Sequence, residues 1–109
     1  MTWQVLILPA AEDELDKLPA KEADAIGKAV EKLKTSGPRL GYPHTSAIKG
    51  ARKLRELRPR QGDSPWRAFY RQIGQVLVIA AIGPEAKVDP KEFQRALDAA
   101  EERLEDLED

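Results

Sequence analysis

The chain has 109 residues and a mass of 12.2 kDa, which predicts a single domain over residues 1–109. It contains no cysteine, so disulfides, thiolate metal sites and cysteine nucleophiles are excluded. The longest apolar run, residues 76–82, is too short to span a membrane, and the first residues lack the basic start of a secretory leader. These features predict a cytoplasmic protein.

The net charge of −1 conceals a strong asymmetry along the chain. Residues 1–38, 39–71 and 72–109 carry net charges of −2, +7 and −6, respectively. The basic middle block holds nine lysine and arginine residues against two acids. A small protein whose charge is sorted in this way can present one cationic surface to a polyanion.

The first part of the chain predicts a strand followed by two helices. Residues 3–8 are apolar and β-prone, and Pro9 ends them. Pro9 also suits the first turn of a helix that stops near residue 18, and the acids at 12–14 complement the dipole of that helix. A second helix is predicted over residues 19–36, because apolar residues recur there on one face. These residues are Ala23, Ile26, Val30 and Leu33.

The rest of the chain predicts a loop, three strands and a final helix. Residues 39–52 contain Gly and Pro without periodicity, which indicates a surface loop. Residues 53–58 and 66–72 alternate as the strands of a hairpin, and residues 76–82 are typical of a central strand. An amphipathic helix begins near residue 90. This order indicates an α+β fold: a small, mainly antiparallel sheet with an N-terminal helical hairpin and a C-terminal helix packed on one face.

Alternation along the hairpin predicts a cluster of arginines. If Trp66 and Tyr70 face the helices, then Arg58, Arg67 and Arg71 gather on the open face of the sheet. Guanidinium groups fit phosphate in a bidentate manner, so an RNA or DNA backbone is the natural ligand for such a cluster. The alternative is a solvated, charged outer face, which antiparallel sheets often have.

The other polar features have ordinary explanations. His44 is expected to be a surface histidine, with proton transfer as the alternative. Trp66 is expected to pack in the core rather than to stack on a base. The acids in residues 101–109 are expected to form a solvated helix face rather than a metal site. No motif for a nucleotide or metal is present, so no cofactor is expected.

Several short motifs occur in a familiar order. A Glu-Leu-Arg strand ends at Arg58, and an Arg-x-x-Tyr strand follows at residues 67–70. The apolar strand then ends in Ile82-Gly83, and residues 90–93 lead into the last helix. The order and spacing of these motifs resemble those of the RelE/HigB-like toxins of type II toxin–antitoxin modules. The resemblance is strongest to the phage-derived HigB group of the RelE/ParE superfamily.

The resemblance implies a metal-independent endoribonuclease that cuts mRNA on the ribosome and thereby inhibits translation. By position, it implies catalytic roles for Arg58 and Arg67, whose charge would stabilise the reacting phosphate, with Lys87 as a further cation. RNA contacts are expected from the other basic residues near these strands. They are Lys49, Arg52, Lys53, Arg55 and Arg71. The Lys pair and Tyr of the family are replaced here by Pro-Glu-Ala-Lys at residues 84–87.

The resemblance also implies a cognate antitoxin, usually a helix-turn-helix protein like HigA. It is expected to cover the basic surface with carboxylates or to block the approach of this surface to the ribosome. Two alternatives remain open: a ParE-like inhibitor of DNA gyrase, and a catalytically inactive RelE-fold binding or co-repressor subunit. For the ribonuclease, replacing Arg67 by Gln is expected to abolish activity with little change in thermal stability, because Arg67 is taken to lie on an exposed face.

Overall fold

The core of the fold is a five-stranded sheet. A computed structural model describes residues 2–51 and 53–108. The strands are β1 (Gln4–Ile7), β2 (Thr45–Ala47), β3 (Arg55–Leu57), β4 (Trp66–Ile73) and β5 (Val76–Pro84), and the helices are α1 (Pro9–Asp16), α2 (Ala20–Ser36) and α3 (Pro90–Glu108). The strand order is β1-β5-β4-β3-β2, in which only the β1–β5 pair is parallel. The predicted α+β class with a mainly antiparallel sheet is confirmed.

The segment predicted as a loop over residues 39–52 contains the edge strand β2. It pairs with β3 in antiparallel register. Its first residue, Thr45, is buried; the Thr45 hydroxyl donates to the carbonyl of Leu40 at 2.5 Å and accepts from Arg55 Nη2 at 2.9 Å. A strand of three residues is too short for alternation to reveal it, so the prediction missed it.

The helices are divided between the two faces of the sheet. Helices α1 and α2 cover one face through a cluster that includes Ile26, Val30, Leu33, Leu57 and Tyr70. Helix α3 covers the other through a cluster that includes Phe69, Val78, Leu97, Ala100 and Leu104. The expectation that all helices share one face is corrected here, because β4 and β5 carry apolar residues on both sides and both sides must be covered. Within the described residues, no helix combines the length and apolarity needed to cross a bilayer.

Helix α3 approaches the sheet closely. A Cβ atom at Gly83 would lie 2.6 Å from the Cβ of Ala96, so a larger residue at position 83 would push the helix away. The rings of Phe69 and Phe93 meet edge to face, with centroids 5.5 Å apart. Since Gly83 pairs with Arg67 across the sheet, α3 covers the same face on which Arg67 lies.

β5 extends beyond the end of β1, and there side chains supply the hydrogen-bond partners of its main chain. The N–H of Ile82 donates to Glu14 Oε1 at 3.0 Å, and the carbonyl of Ala80 accepts from Arg103 Nη1 at 2.8 Å. Glu14 and Arg103 also pair with each other, with Oε2 and Nη2 3.0 Å apart. Buried main-chain groups need partners of this kind, so Glu14 does more than complement the dipole of α1.

Candidate nucleic-acid interface

Arg67 is buried, with only 2% of its surface exposed. Its guanidinium donates to Glu56 Oε1 at 3.2 Å and to Glu85 Oε2 at 2.5 Å. Nη1 of Arg67 donates to the main-chain carbonyls of Ser64 and Trp66, at 2.6 and 2.9 Å. The prediction that Arg67 lies on an open face of the sheet is therefore wrong.

The contacts of Arg67 indicate that this residue stabilises the fold. They join β3, through Glu56, to the turn after β5, through Glu85. Two carboxylates more than neutralise the single charge of the guanidinium, so an incoming phosphate would have to displace them. No group of three or more His, Cys, Asp or Glu side chains in residues 2–51 and 53–108 is placed to hold a metal ion.

The strand register itself agrees with the prediction. Tyr70 is buried and Trp66 is partly buried, and both pack on the cluster beneath α1 and α2. The prediction fails on the opposite face of the sheet, which was expected to be open and is covered by α3.

Two further predicted arginines lie on different surfaces. Arg71 Nη1 is 3.3 Å from Glu108 Oε1, close to the end of α3. Arg55 donates to the hydroxyl of Thr45 and is half-buried. Arg67 and Arg71 share the sheet face that α3 covers, as alternation predicted, whereas Arg58 lines a groove beside α2, so the three arginines do not form one open cluster.

The remaining predicted cations are exposed in turns. Lys49 and Lys53 lie between β2 and β3, and Lys87 lies in the turn before α3. Arg52 is outside the described residues. These positions are compatible with contacts to an anionic partner, but they do not form a pocket with Arg58.

A different basic surface lies between α2 and the loop that precedes β2. It is a groove of about 330 Å³, which we call the α2 groove. Its lining residues are Lys21, Asp24, Ala25, Lys28, Ala29, Lys32, Leu40, His44, Leu57, Arg58 and Arg60. The described lining thus holds five cationic side chains and one acid, over a buried apolar floor. A concave surface with this charge attracts anions.

The lysines of the α2 groove are aligned by helix geometry. Lys21, Lys28 and Lys32 are separated by seven and four residues, which places them on one face of α2. Ala25 and Ala29 lie between them and are buried. The short alanine side chains leave the space that the lysines surround. The spacing is present in the sequence, where it does not differ from the solvated polar face of an ordinary amphipathic helix.

Arg58 forms the wall of the groove opposite α2. Its main-chain N–H donates to the carbonyl of His44 at 2.8 Å, which ties the loop to the end of β3. Its guanidinium packs over Gly62, where a Cβ atom would lie 2.4 Å from Nη2. Nε of Arg58 is buried and has no hydrogen-bond partner in the described part of the chain. Packing, rather than a carboxylate, positions this guanidinium.

Tyr42 extends the wall formed by Arg58 towards solvent. The guanidinium carbon of Arg58 lies 4.9 Å from the centroid of the Tyr42 ring, a distance at which a cation is attracted to the ring face. The side chain is nevertheless 75% exposed.

Arg60, at the end of the groove, is held by Glu22. Nη2 of Arg60 donates to both carboxylate oxygens of Glu22, at 2.6 and 2.8 Å, and the hydroxyl of Ser64 donates to Oε1 at 2.9 Å. The hydrogen bonds from Arg60 and Ser64 lower the pKa of Glu22 below its ordinary value of 4.5. The charge of Arg60 is thus partly compensated, which leaves Arg58 and the lysines as the dominant cations.

The lowered pKa of Glu22 predicts a dependence of stability on pH. A carboxyl whose pKa is lower in the folded state stabilises the fold above its unfolded pKa, and this contribution is lost as the pH falls through the folded value. We expect the melting temperature of the wild type to fall more steeply than that of Glu22→Gln between about pH 6 and pH 3. Thermal melts followed by circular dichroism test this, and parallel curves would contradict it.

Solved structures of RelE toxins share this fold. A free Escherichia coli RelE variant aligns over 90% of this chain and 97% of its own, with a TM-score of 0.65 and 17% identity. A chain of the RelBE2 toxin–antitoxin complex from Mycobacterium tuberculosis aligns over 78% and 100%, with a TM-score of 0.60 and 19% identity. A chain of the archaeal RelE–RelB complex from Pyrococcus horikoshii aligns over 77% and 96%, with a TM-score of 0.55 and 23% identity. The architecture is that of the RelE-type toxins.

The family of the chain follows from its sequence. Residues 13–105 match the family described as "Phage derived protein Gp49-like (DUF891)", and the chain belongs to this family. None of the curated proteins matches it. The resemblance to phage-derived, RelE-like toxins is thereby confirmed.

Proposed function

We propose that this chain is the toxin component of a toxin–antitoxin module and that it inhibits translation by binding mRNA on the ribosome through the α2 groove. The observation that carries the proposal is Arg58, whose buried Nε has no hydrogen-bond partner among the described residues and which lines the same groove as the lysines of α2. Guanidinium and ammonium groups around an open groove attract an RNA backbone and displace its counterions. We place this function in the cytoplasm, where mRNA is translated.

Family membership supports the toxin role, and the charge distribution supports an RNA target. Lys28 and Lys32 are exposed on the face of α2 that lines the groove, and Arg58 lines the other side of the groove. Phosphates lying in the groove would therefore be contacted from both sides. The gyrase-inhibitor and co-repressor alternatives gain no specific support from the groove or from the relatives.

Cleavage of the bound mRNA is a second candidate activity, favoured by the position of His44. His44 lines the groove, and its carbonyl accepts the N–H of Arg58. In metal-independent cleavage, a base takes the proton of the 2′-hydroxyl and the 2′-oxygen bonds to phosphorus. The bond from phosphorus to the 5′-oxygen breaks, and the protonated base returns its proton to that oxygen. A guanidinium stabilises the charge that the phosphate gains. His44 and Arg58 are candidates for these two roles, whereas Arg67 and Lys87 do not line the groove.

We further propose a cognate antitoxin that silences the toxin by covering the α2 groove. Structures described as toxin–antitoxin complexes, from M. tuberculosis and P. horikoshii, support a protein partner. An acidic segment of that partner would compete with RNA, because both present anionic oxygens. The expected helix-turn-helix, HigA-like nature of the antitoxin remains a prediction.

Inhibition of translation in a cell extract tests the proposed function. The groove variant combines Lys28→Gln, Lys32→Gln and Arg58→Gln. The control variant combines Lys17→Gln, Lys91→Gln and Arg95→Gln, which removes the same charge from exposed positions outside the groove.

We expect the wild type and the control variant to stop protein synthesis and the groove variant to leave it running. Equal inhibition by both variants would contradict the proposal. Mapping of mRNA ends in the same extracts tests the second candidate. We expect His44→Ala to abolish new mRNA ends while RNA binding is retained, and new ends that persist in this variant would exclude His44 as the base.

A further inference from the structure

Tyr42 is unusual among the large apolar and aromatic side chains of the described chain. It is the most exposed of them at 75%, compared with 57% for Val88, 48% for Leu107 and 43% for Leu6. The ring does not itself line the α2 groove, but it contacts Arg58, which does. Tyr42 thus lies beside the cations of the groove rather than alone on the surface.

One face of the Tyr42 ring is covered and the other is open. The guanidinium of Arg58 lies over the ring, 4.9 Å from its centroid, and the high exposure leaves the opposite face to solvent. A ring in this arrangement can stack on a planar group through its open face while the neighbouring guanidinium contacts an anion. A nucleotide offers both groups at once, since its base is planar and its phosphate is anionic.

The loop that carries Tyr42 is held at both ends. The N–H groups of His44 and Thr45 donate to the carbonyl of Gly41, at 3.0 and 3.2 Å. The buried hydroxyl of Thr45 donates to the carbonyl of Leu40. These bonds fix the main chain on either side of Tyr42, so the ring is presented without a further loss of loop entropy on binding.

We propose that Tyr42 is a stacking platform for one unpaired base of an RNA strand whose neighbouring phosphates lie against Arg58 and the lysines of the α2 groove. This inference rests on the proposed function, and it specifies the ligand as single-stranded. In a duplex each base is already stacked between its neighbours and is not free to lie on the ring. Base–aromatic stacking has little sequence preference, so the platform accepts any base.

The alternative is that Tyr42 only shields the guanidinium of Arg58. The two roles differ in what the ligand must contain. Stacking needs a base, whereas shielding affects every phosphate ligand alike. A ribose-phosphate oligomer without bases therefore separates them.

The test measures binding of dye-labelled oligomers by fluorescence anisotropy. The probes are oligoadenylate RNA, a base-free ribose-phosphate oligomer of the same length, and an RNA duplex. The variants are Tyr42→Leu, which keeps apolar bulk without a ring, Tyr42→Phe, which keeps the ring, and Arg58→Gln.

We expect Tyr42→Leu to weaken binding of oligoadenylate about tenfold and to leave the base-free oligomer unaffected. Tyr42→Phe should bind like the wild type, and Arg58→Gln should weaken binding of both single strands. The duplex should bind the wild type more weakly than oligoadenylate.

Each opposite result has a distinct meaning. If oligoadenylate binds the wild type and Tyr42→Leu equally, the platform is excluded while the RNA-binding groove stands. Equal losses for oligoadenylate and the base-free oligomer would show that the ring acts only through Arg58. A wild type that binds no RNA at all would contradict the proposed function together with this inference.

Discussion

Replacing Arg67 by Gln is expected to lower the free energy of unfolding by about 3 kcal/mol, which for a domain of this size lowers the melting temperature by roughly 10–20 °C. The guanidinium is shared by two carboxylates, and the Glu56 and Glu85 side chains are only 13% and 25% exposed. Without Arg67, both charges face each other in a poorly hydrated place. The carbonyl of Ser64 also loses its donor.

Urea denaturation of Arg67→Gln beside Arg95→Gln measures this effect. Arg95 also pairs with a carboxylate, that of Glu92 at 3.0 Å, but its side chain is 74% exposed. An exposed pair of this kind contributes little, so Arg95→Gln should remain within about 0.5 kcal/mol of the wild type. If Arg67→Gln were as stable as Arg95→Gln yet inactive, Arg67 would be a free functional group, as the sequence alone suggested.

The groove variant is expected to lose roughly a hundredfold in affinity for single-stranded RNA at about 0.15 M salt. This estimate assigns about 1 kcal/mol to each of Lys28, Lys32 and Arg58 as phosphate contacts. The three side chains line the groove, so their removal should leave the cores on both faces of the sheet undisturbed.

The control variant, with Lys17, Lys91 and Arg95 replaced, separates a site from a general effect of charge. It carries the same net charge as the groove variant, so a nonspecific attraction would weaken both variants equally. We expect it to bind within about threefold of the wild type. Matched losses in the two variants would remove the argument for the α2 groove.

The hairpin of β3 and β4 shows which features of the fold the sequence predicts and which it does not. Period-2 alternation correctly placed Trp66 and Tyr70 in the core. Alternation says which residues share a face, but it does not say what covers that face. One sign was present: Phe69 lies between Arg67 and Arg71 on the face that was taken as open, and an aromatic residue there indicates cover by another element.

The partners of Arg67 could not all be predicted from the local sequence. Glu56 is close in sequence, but Glu85 lies in the turn just after β5, and its approach depends on the register between β4 and β5. The same holds for Glu14, whose partner Arg103 is 89 residues away in the chain. Contacts of this kind are set by tertiary packing, which propensity and spacing do not encode.

The α2 groove lies between these cases. The spacing of Lys21, Lys28 and Lys32 was visible as a polar face of an amphipathic helix, and such faces are usually only solvated. The polar face of α2 differs from such faces because Arg58 and His44 lie on the other side of the groove, and only the fold brings them there. The sequence contained half of the site, and the topology supplied the other half.

The salt dependence of RNA binding tests the central claim most directly, because it counts the phosphate contacts that a surface makes. Each contact with a single strand adds about 0.7 to the slope of log K against log salt concentration. If the α2 groove binds the RNA backbone, the slope of the groove variant should be shallower than that of the wild type by about 2, while the control variant keeps the wild-type slope. Identical slopes for all three proteins would show that RNA does not lie in the α2 groove.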